Sequence, residues 1–190
     1  SYATHRRITP AQGTVECWVA RSDGGSGTEL LHLGAENAVE RGLDVILDGD
    51  KLTLNVAQEL RLATPAAALG EQWTHLAIVW DTEALRVYVG GRRVGTTPMD
   101  EALRRALADA AGPKGLLRFG SLSDYAGEAH LRVDEVRVSS VSRYHGDTCD
   151  IPLVLFSADE ETLFLDALEV AFTPDGEDAR TPAGGCPSVG

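Results

Sequence analysis

The chain has 190 residues, of which 43% are hydrophobic and 24% charged, and its formal net charge is −12. This composition is typical of a globular domain, and the negative charge argues against nucleic acid or anionic lipid as a partner, because both bind basic surfaces. No stretch approaches the roughly 20 consecutive apolar residues of a membrane span, and the first ten residues lack the apolar core of a secretory signal.

Short apolar or alternating runs recur along the chain, separated by turn signals, and they predict β-strands. The predicted strands are Thr14–Ala20, Glu29–Leu33, Leu43–Leu47, Lys51–Val56, Thr74–Trp80, Arg86–Val89, Gly115–Phe119, Ala129–Ser139 and Thr162–Leu168. Regular short strands of this kind indicate an all-β sandwich rather than alternating βαβ units. Since Thr74–Trp80 is apolar at nearly every position, we expect that strand to be central and covered on both faces.

Two tight hairpins are predicted from turn residues. Asp48-Gly49 joins the third and fourth predicted strands, and Gly90-Gly91 joins Arg86–Val89 to a returning strand. Both pairs tolerate the positive φ angles that two-residue hairpin turns require.

A helix is predicted over Asp100–Ala111, with Asp100 as its N-cap and Gly112-Pro113 as its stop. Its apolar residues have helical spacing and form one narrow stripe: Leu103, Ala106, Leu107 and Ala110. A helix this short must dock its stripe on the sandwich to be stable. We expect it to cap one end of the sandwich; the alternative is that it docks over the face of one sheet.

Four ordered motifs run through the first three quarters of the chain: Gly13–Trp18, Trp73–Ala77, Tyr88–Gly91 and Asp134–Arg137. Over about residues 8–145 the chain resembles the laminin-G-like branch of the concanavalin A-like lectin and glucanase jelly rolls. The resemblance implies a two-sheet antiparallel jelly-roll sandwich, one sheet concave and one convex, with the helix as an insertion. We expect a single domain over residues 1–190, whose acidic C-terminal extension, 147–190, carries ten acids against one arginine.

The resemblance also implies a structural calcium site that uses Asp134 together with the N-terminal strand. Calcium needs six to eight oxygen ligands, and the acidic partner expected upstream is not recognisable in the first ten residues. The alternative is that Asp134 forms a salt bridge or accepts hydrogen bonds from backbone amides.

The aromatic and histidine residues of the motifs have structural explanations as well. Trp73 is interpreted as an anchor at the start of a strand, and His75 as a hydrogen-bonded core histidine. Trp18 and Trp80 either belong to the core or line the concave face, where exposed aromatic rings would favour glycan binding.

The three cysteines divide into two kinds. Cys17 lies in an apolar run and is predicted to be a buried, reduced thiol. Cys149 and Cys186 are predicted to pair as a disulfide, which would suit an extracellular setting. Two free thiols are the alternative.

The sequence contains no recognisable catalytic pattern. Glucanases of this superfold use inward-pointing carboxylates on one strand, whereas Asp159, Glu160 and Glu161 are consecutive and point in different directions. Nucleophile elbows, phosphate-binding loops and metalloprotease motifs are missing from the sequence. The chain is therefore predicted not to be an enzyme, with a glycoside hydrolase or lyase as the distant alternative.

The leading functional prediction is a non-catalytic recognition or adhesion module that binds glycan or protein. The chain begins without Met, so we expect it to be part of a larger secreted or surface protein, with neighbouring domains as further partners. The chain has 2 lysines against 15 arginines, which is typical of a GC-rich bacterial coding sequence. The alternative is an architectural spacer or interaction domain without a ligand.

Overall fold

A computed structural model describes residues 2–4, 8–21, 28–48, 51–65, 69–120, 131–151 and 155–167. These residues form two antiparallel six-stranded sheets around one hydrophobic core. The predicted all-β jelly-roll sandwich with one short helix is therefore confirmed.

Sheet I and sheet II are named here by their strands. Sheet I has the order β1 (Tyr2–Ala3), β10 (Gly115–Phe119), β3 (Thr28–Ala35), β4 (Leu43–Asp48), β5 (Lys51–Val56) and β6 (Glu59–Pro65). Sheet II has the order β12 (Thr162–Asp166), β11 (Leu131–Ser139), β2 (Gly13–Arg21), β7 (Thr74–Trp80), β8 (Ala84–Val89) and β9 (Arg92–Pro98).

Strand β7 is central in sheet II, as its apolar sequence predicts, and every residue of it is buried. Leu76, Ile78 and Trp80 pack in the core between the sheets. Ala77 and Val79 point the other way and pack with Tyr88 in a second, small cluster on the outer face. Trp80 is thus a core residue, one of the two roles considered for it.

The predicted Gly90-Gly91 turn is confirmed. Gly90 and Gly91 have φ angles of 55° and 75°, the left-handed values that a two-residue turn requires there. Strands β4 and β5 pair as the other predicted hairpin requires, with Asp48 as the last residue of β4, and the turn between them lies outside the described residues.

Strands β1 and β6 were not predicted. Strand β6 follows β5 through Ala57 and Gln58, whose φ angles are 50° and 65°. These positions usually carry glycine or asparagine, so the sequence holds no turn signal there. At the other end of the chain, β12 ends at Asp166, and the predicted strand ends Ala129 and Leu168 lie outside the described residues.

Helix α1 (Glu101–Ala111) lies between β9 of sheet II and β10 of sheet I. Its N-cap is confirmed, because the Asp100 carboxylate accepts a hydrogen bond from the amide of Leu103 at 2.9 Å. All four residues of the predicted stripe are fully buried in the core. Asp100 pairs with Arg61 near the start of β6, and Asp109 pairs with Arg41 just before β4. The helix therefore runs across one end of the sandwich.

Candidate functional site

The motif residues meet on the outer face of sheet II, where adjacent strands bring together Glu16 of β2, His75 of β7 and Arg137 of β11. His75 Nε2 donates to Glu16 Oε2 at 2.9 Å, and Arg137 Nε donates to Glu16 Oε1 at 2.9 Å. Tyr144, which follows β11, adds a hydroxyl that donates to Glu16 Oε2 at 2.8 Å. Both oxygens of this carboxylate are therefore satisfied.

A covering segment, residues 141–151 and 155–161, buries this network. The Phe156 amide donates to Glu135 Oε2 at 3.0 Å, and the Arg137 guanidinium lies 4.5 Å from the centre of the Phe156 ring. Edge-on contacts of Tyr144 and Phe156 enclose the His75 ring. Glu16 and His75 are consequently fully buried, and no ligand can reach them without displacing the segment.

The electrostatics of the network fit a structural role. Burial by itself raises the pKa of Glu16, but the hydrogen bond from His75 and the charge of Arg137 outweigh it and hold the pKa below its usual value. Burial together with the neighbouring Glu16 carboxylate raises the pKa of Tyr144, so its hydroxyl stays a donor. The interpretation of His75 as a hydrogen-bonded core histidine is confirmed.

The same face of sheet II opens beyond this network, at the end where β7 begins. Trp18 is paired with Asp134 on one side and His75 on the other, and it is partly exposed. Nearer the starts of β7 and β11, the Arg132 guanidinium lies 5.3 Å from the centre of the partly exposed Trp73 ring. We call these four residues the Trp73 patch: Trp18, Trp73, Arg132 and Asp134.

Asp134 lies at a β-bulge in β11, next to Glu135, whose φ angle is 49°. Its Oδ1 accepts a hydrogen bond from the Glu135 amide at 2.8 Å, and partial burial raises the pKa of Asp134. Among the described residues, Asp134 belongs to no group of three close metal-ligating side chains. A calcium ion here would need further oxygens from backbone carbonyls and water, and the calcium site stays a prediction.

A second polar cluster lies on the outer face of sheet I, and we call it the His32 cluster: Glu29, His32, Asp44 and Arg118. His32 Nδ1 lies 2.6 Å from Asp44 Oδ1, and Arg118 Nε donates to Glu29 Oε1 at 3.2 Å. One ligand atom each from Glu29, His32 and Asp44 lie within 4.8 Å of one another. In the described part of the chain, these three residues form a group of metal-ligating side chains close enough together to hold one ion.

The His32 cluster is buried but incompletely paired. His32 is 0% exposed and Glu29 is 4% exposed. Within the described residues, Glu29 Oε2, His32 Nε2 and Arg118 Nη2 have no hydrogen-bond partner. Burial raises the pKa of Glu29, and the hydrogen bond and charge of Arg118 do not fully offset that rise.

Glycines shape the space that the His32 ring occupies. A Cβ atom on Gly42 would lie 2.4 Å from His32 Cε1, and one on Gly34 would lie 3.0 Å from Nε2. A side chain on either glycine would therefore displace the imidazole.

One carboxylate oxygen of Glu29 and one of Asp44 lie within 4.8 Å of each other, which invites comparison with retaining glycosidases, whose two carboxyl groups are about 5–5.5 Å apart. Glu29 is buried and bound to Arg118, while Asp44 is bound to His32. Because Glu29 is 4% exposed, its carboxylate cannot contact a glycosidic bond in this arrangement.

The cysteines differ in environment. Cys17 is fully buried and burial raises the pKa of its thiol, as expected for a reduced core cysteine. Burial raises the pKa of Cys149 to about 11. Cys186 lies outside the described residues, so the Cys149–Cys186 pairing stays a prediction.

Helix α1 is too short to cross a membrane, and no other helix in the described ranges is long and apolar enough to do so.

The family follows from residues 2–145, which match a laminin-G-type model described as the concanavalin A-like lectin/glucanases superfamily. The match covers most of the chain, so the protein belongs to this superfamily. Among curated proteins, none has a significantly similar sequence.

Solved structures support the fold. A candidate carbohydrate-binding protein from Bacteroides ovatus ATCC 8483 has a TM-score of 0.59 and 19% identity, over 87% of this chain and 48% of that one. A Trypanosoma rangeli sialidase mutant with trans-sialidase activity has a TM-score of 0.50 and 15% identity, over 68% of this chain and 20% of that one. The chain thus spans less than half the length of either structure.

Proposed function

We propose that this domain is a non-catalytic recognition module that binds a glycan at the Trp73 patch. We place it within a larger secreted or surface protein of bacterial origin. The observation that carries the proposal is the partly exposed pair of indoles, Trp18 and Trp73, beside one guanidinium and one carboxylate.

The chemistry of the patch suits a sugar. The C–H faces of a pyranose ring pack on indole rings, which combine a large apolar surface with a polar edge. Asp134 accepts hydrogen bonds from sugar hydroxyls, while Arg132 donates them. A small number of polar groups around an apolar surface is typical of ligand sites, in which the polar groups fix the orientation.

The charge of the chain favours a neutral glycan over an acidic one. The net charge of −12 repels anions, and Asp134 contributes a carboxylate to the patch itself. The B. ovatus structure, which shares this fold, supports glycan recognition as the class of function.

Glycan array binding, followed by titration calorimetry with the best neutral ligand, tests the proposal. Trp73→Ala and Arg132→Gln should each weaken binding by at least about tenfold, as expected when central contacts of a site are removed. Leu60→Ala is the matched control, because Leu60 is 62% exposed on β6 of the other sheet. Its affinity should be unchanged.

Three results would contradict the proposal. Binding of glycan that survives both patch variants would place the site elsewhere. An array without any glycan ligand, together with a protein partner captured through the same patch, would favour an interaction domain. A spacer would show no ligand in either assay.

Calcium at Asp134 is proposed as a structural accompaniment to this site. Hard oxygen donors suit Ca²⁺, and the partly buried carboxylate of Asp134 would be one of them. Calcium should raise the melting temperature of the unmodified protein and have no effect on Asp134→Ala. Equal melting temperatures in EDTA and in calcium would remove the site.

A further inference from the structure

We propose that the His32 cluster binds a divalent transition-metal ion of the zinc type, with Glu29, His32 and Asp44 as its protein ligands. This site is on sheet I, away from the Trp73 patch on sheet II, and its test does not depend on glycan binding. Three observations carry the proposal: the convergence of ligand atoms, the unpaired atoms among them, and the surrounding charge.

The donor set selects the class of metal. One imidazole nitrogen and two carboxylate oxygens are ligands that zinc accepts, with water completing a four-coordinate site. Calcium prefers six to eight oxygen ligands, and an imidazole is foreign to such sites. The cluster therefore fits zinc or a similar ion better than calcium.

The geometry is close to that of a bound ion. Metal–ligand bonds of about 2.0–2.2 Å place two ligand atoms no more than about 4.4 Å apart. The ligand atoms of the three side chains already lie within 4.8 Å of one another. Small side-chain movements would bring the more distant ligand atoms together around an ion and would separate His32 Nδ1 from Asp44 Oδ1, which now lie 2.6 Å apart.

The unpaired atoms indicate that the cluster lacks a positively charged partner. Glu29 is 4% exposed, and its Oε2 has no hydrogen-bond partner among the described residues. A buried, unpaired carboxylate oxygen is unfavourable, and a cation removes that penalty. Arg118 occupies only Oε1 of Glu29, which leaves Oε2 for a ligand.

The charge and the environment of the histidine agree with a metal site. Glu29 and Asp44 together carry two negative charges against the single positive charge of Arg118, so a dication is attracted. His32 Nδ1 and Asp44 Oδ1 lie 2.6 Å apart, so an ion that both atoms bind would take the place of the proton they share. Asp44 is 16% exposed, which gives an ion a route into the cluster.

Titration calorimetry with Zn²⁺ alone, under reducing conditions, tests the proposal on the intact chain. We expect saturable binding of one ion per chain and a higher melting temperature. Asp44→Asn and Glu29→Gln should each weaken binding by at least about tenfold, since both remove a direct ligand.

Two control variants separate this site from other zinc ligands. His145→Gln removes a 65% exposed imidazole that lies 3.9 Å from Asp81, and Cys149→Ser removes a partly exposed thiol. Neither should change the affinity of the tight site.

A measurement on the unmodified protein covers the case in which a variant fails to fold. In an NMR titration of the imidazole signals, one equivalent of Zn²⁺ should shift those of His32 and leave those of the enclosed His75 in place. Unshifted His32 signals, no saturable binding, or unchanged affinity in folded Asp44→Asn would each overturn the proposal.

Discussion

The outer faces of the two sheets each carry a buried cluster of glutamate, histidine and arginine, but the glutamate is fully hydrogen-bonded on only one of them. On sheet II, both oxygens of Glu16 are hydrogen-bonded, to Arg137 on one side and to His75 and Tyr144 on the other. On sheet I, Glu29 has Arg118 on one oxygen, and its second oxygen is unpaired within the described residues. Accordingly, the pKa of Glu16 lies below its usual value and that of Glu29 lies above it.

This difference shows that a buried charged side chain is not by itself evidence of a functional site. The motif residues of this superfamily hold the covering segment onto sheet II, because Tyr144 and Phe156 of that segment complete their contacts. The His32 cluster belongs to none of those motifs and has the ligand atoms that remain available. The fully paired Glu16 carboxylate on sheet II thus fits a structural role, whereas the partly paired Glu29 carboxylate on sheet I is the one for which metal binding is proposed.

The largest predicted effect is on the sheet II network. Arg137→Ala should lower the free energy of unfolding by about 3–5 kcal/mol, because it leaves the buried Glu16 carboxylate without its cation. It also removes the contact with Phe156. Urea unfolding measures the loss.

Arg93→Ala is the matched control for that substitution. Arg93 pairs with Asp147, which is 86% exposed, and exposed pairs contribute at most about 1 kcal/mol. Equal losses in the two variants would mean that the sheet II network is no stronger than a surface ion pair.

The pH dependence of stability should differ in sign between the two carboxylates. The pKa of Glu16 is lowered on folding, so its contribution is present above about pH 4.5 and is lost as the pH falls through the folded value. The pKa of Glu29 is raised, so its contribution is largest below about pH 4.5 and is lost as the pH rises through the folded value.

Unfolding curves of Glu29→Gln at several pH values measure this directly, without added metal. Relative to the unmodified protein, the variant should gain stability between pH 4 and pH 7. A relative loss over the same interval would show that Glu29 is better compensated than its contacts indicate.

The smallest predicted effect concerns the covering segment. If Cys149 and Cys186 pair, thiol labelling of the unfolded, non-reduced protein should detect one thiol, that of Cys17. Detection of all three would show that no bridge fastens the segment, which would then be held by its noncovalent contacts with sheet II.

Much of the fold was predictable because its signals are local. Alternating apolar residues, the Gly90-Gly91 turn and the stripe of helix α1 identified most strands, one hairpin and the inserted helix correctly. Strand β6 was missed because Ala57 and Gln58 adopt left-handed turn conformations without the residues that normally signal them.

The His32 cluster could not be predicted because of a β-bulge. Strict alternation places Glu29 and His32, three residues apart, on opposite faces of β3. The register shifts between Glu29 and Leu31, and this extra residue brings both side chains to the outer face. A second bulge does the same for Asp134 and Arg137 in β11. Such irregularities depend on tertiary packing, and no residue pattern in the sequence predicts them.

Paired urea unfolding of Glu16→Gln and Glu29→Gln at pH 7 without metal tests the contrast between the two faces most directly. Both substitutions remove one buried charge and preserve the shape of the side chain. We predict that Glu16→Gln lowers the free energy of unfolding by about 3 kcal/mol or more, because Arg137 loses its buried partner. Glu29→Gln should change it by no more than about 1 kcal/mol. Equal losses, or a larger loss for Glu29→Gln, would contradict the account.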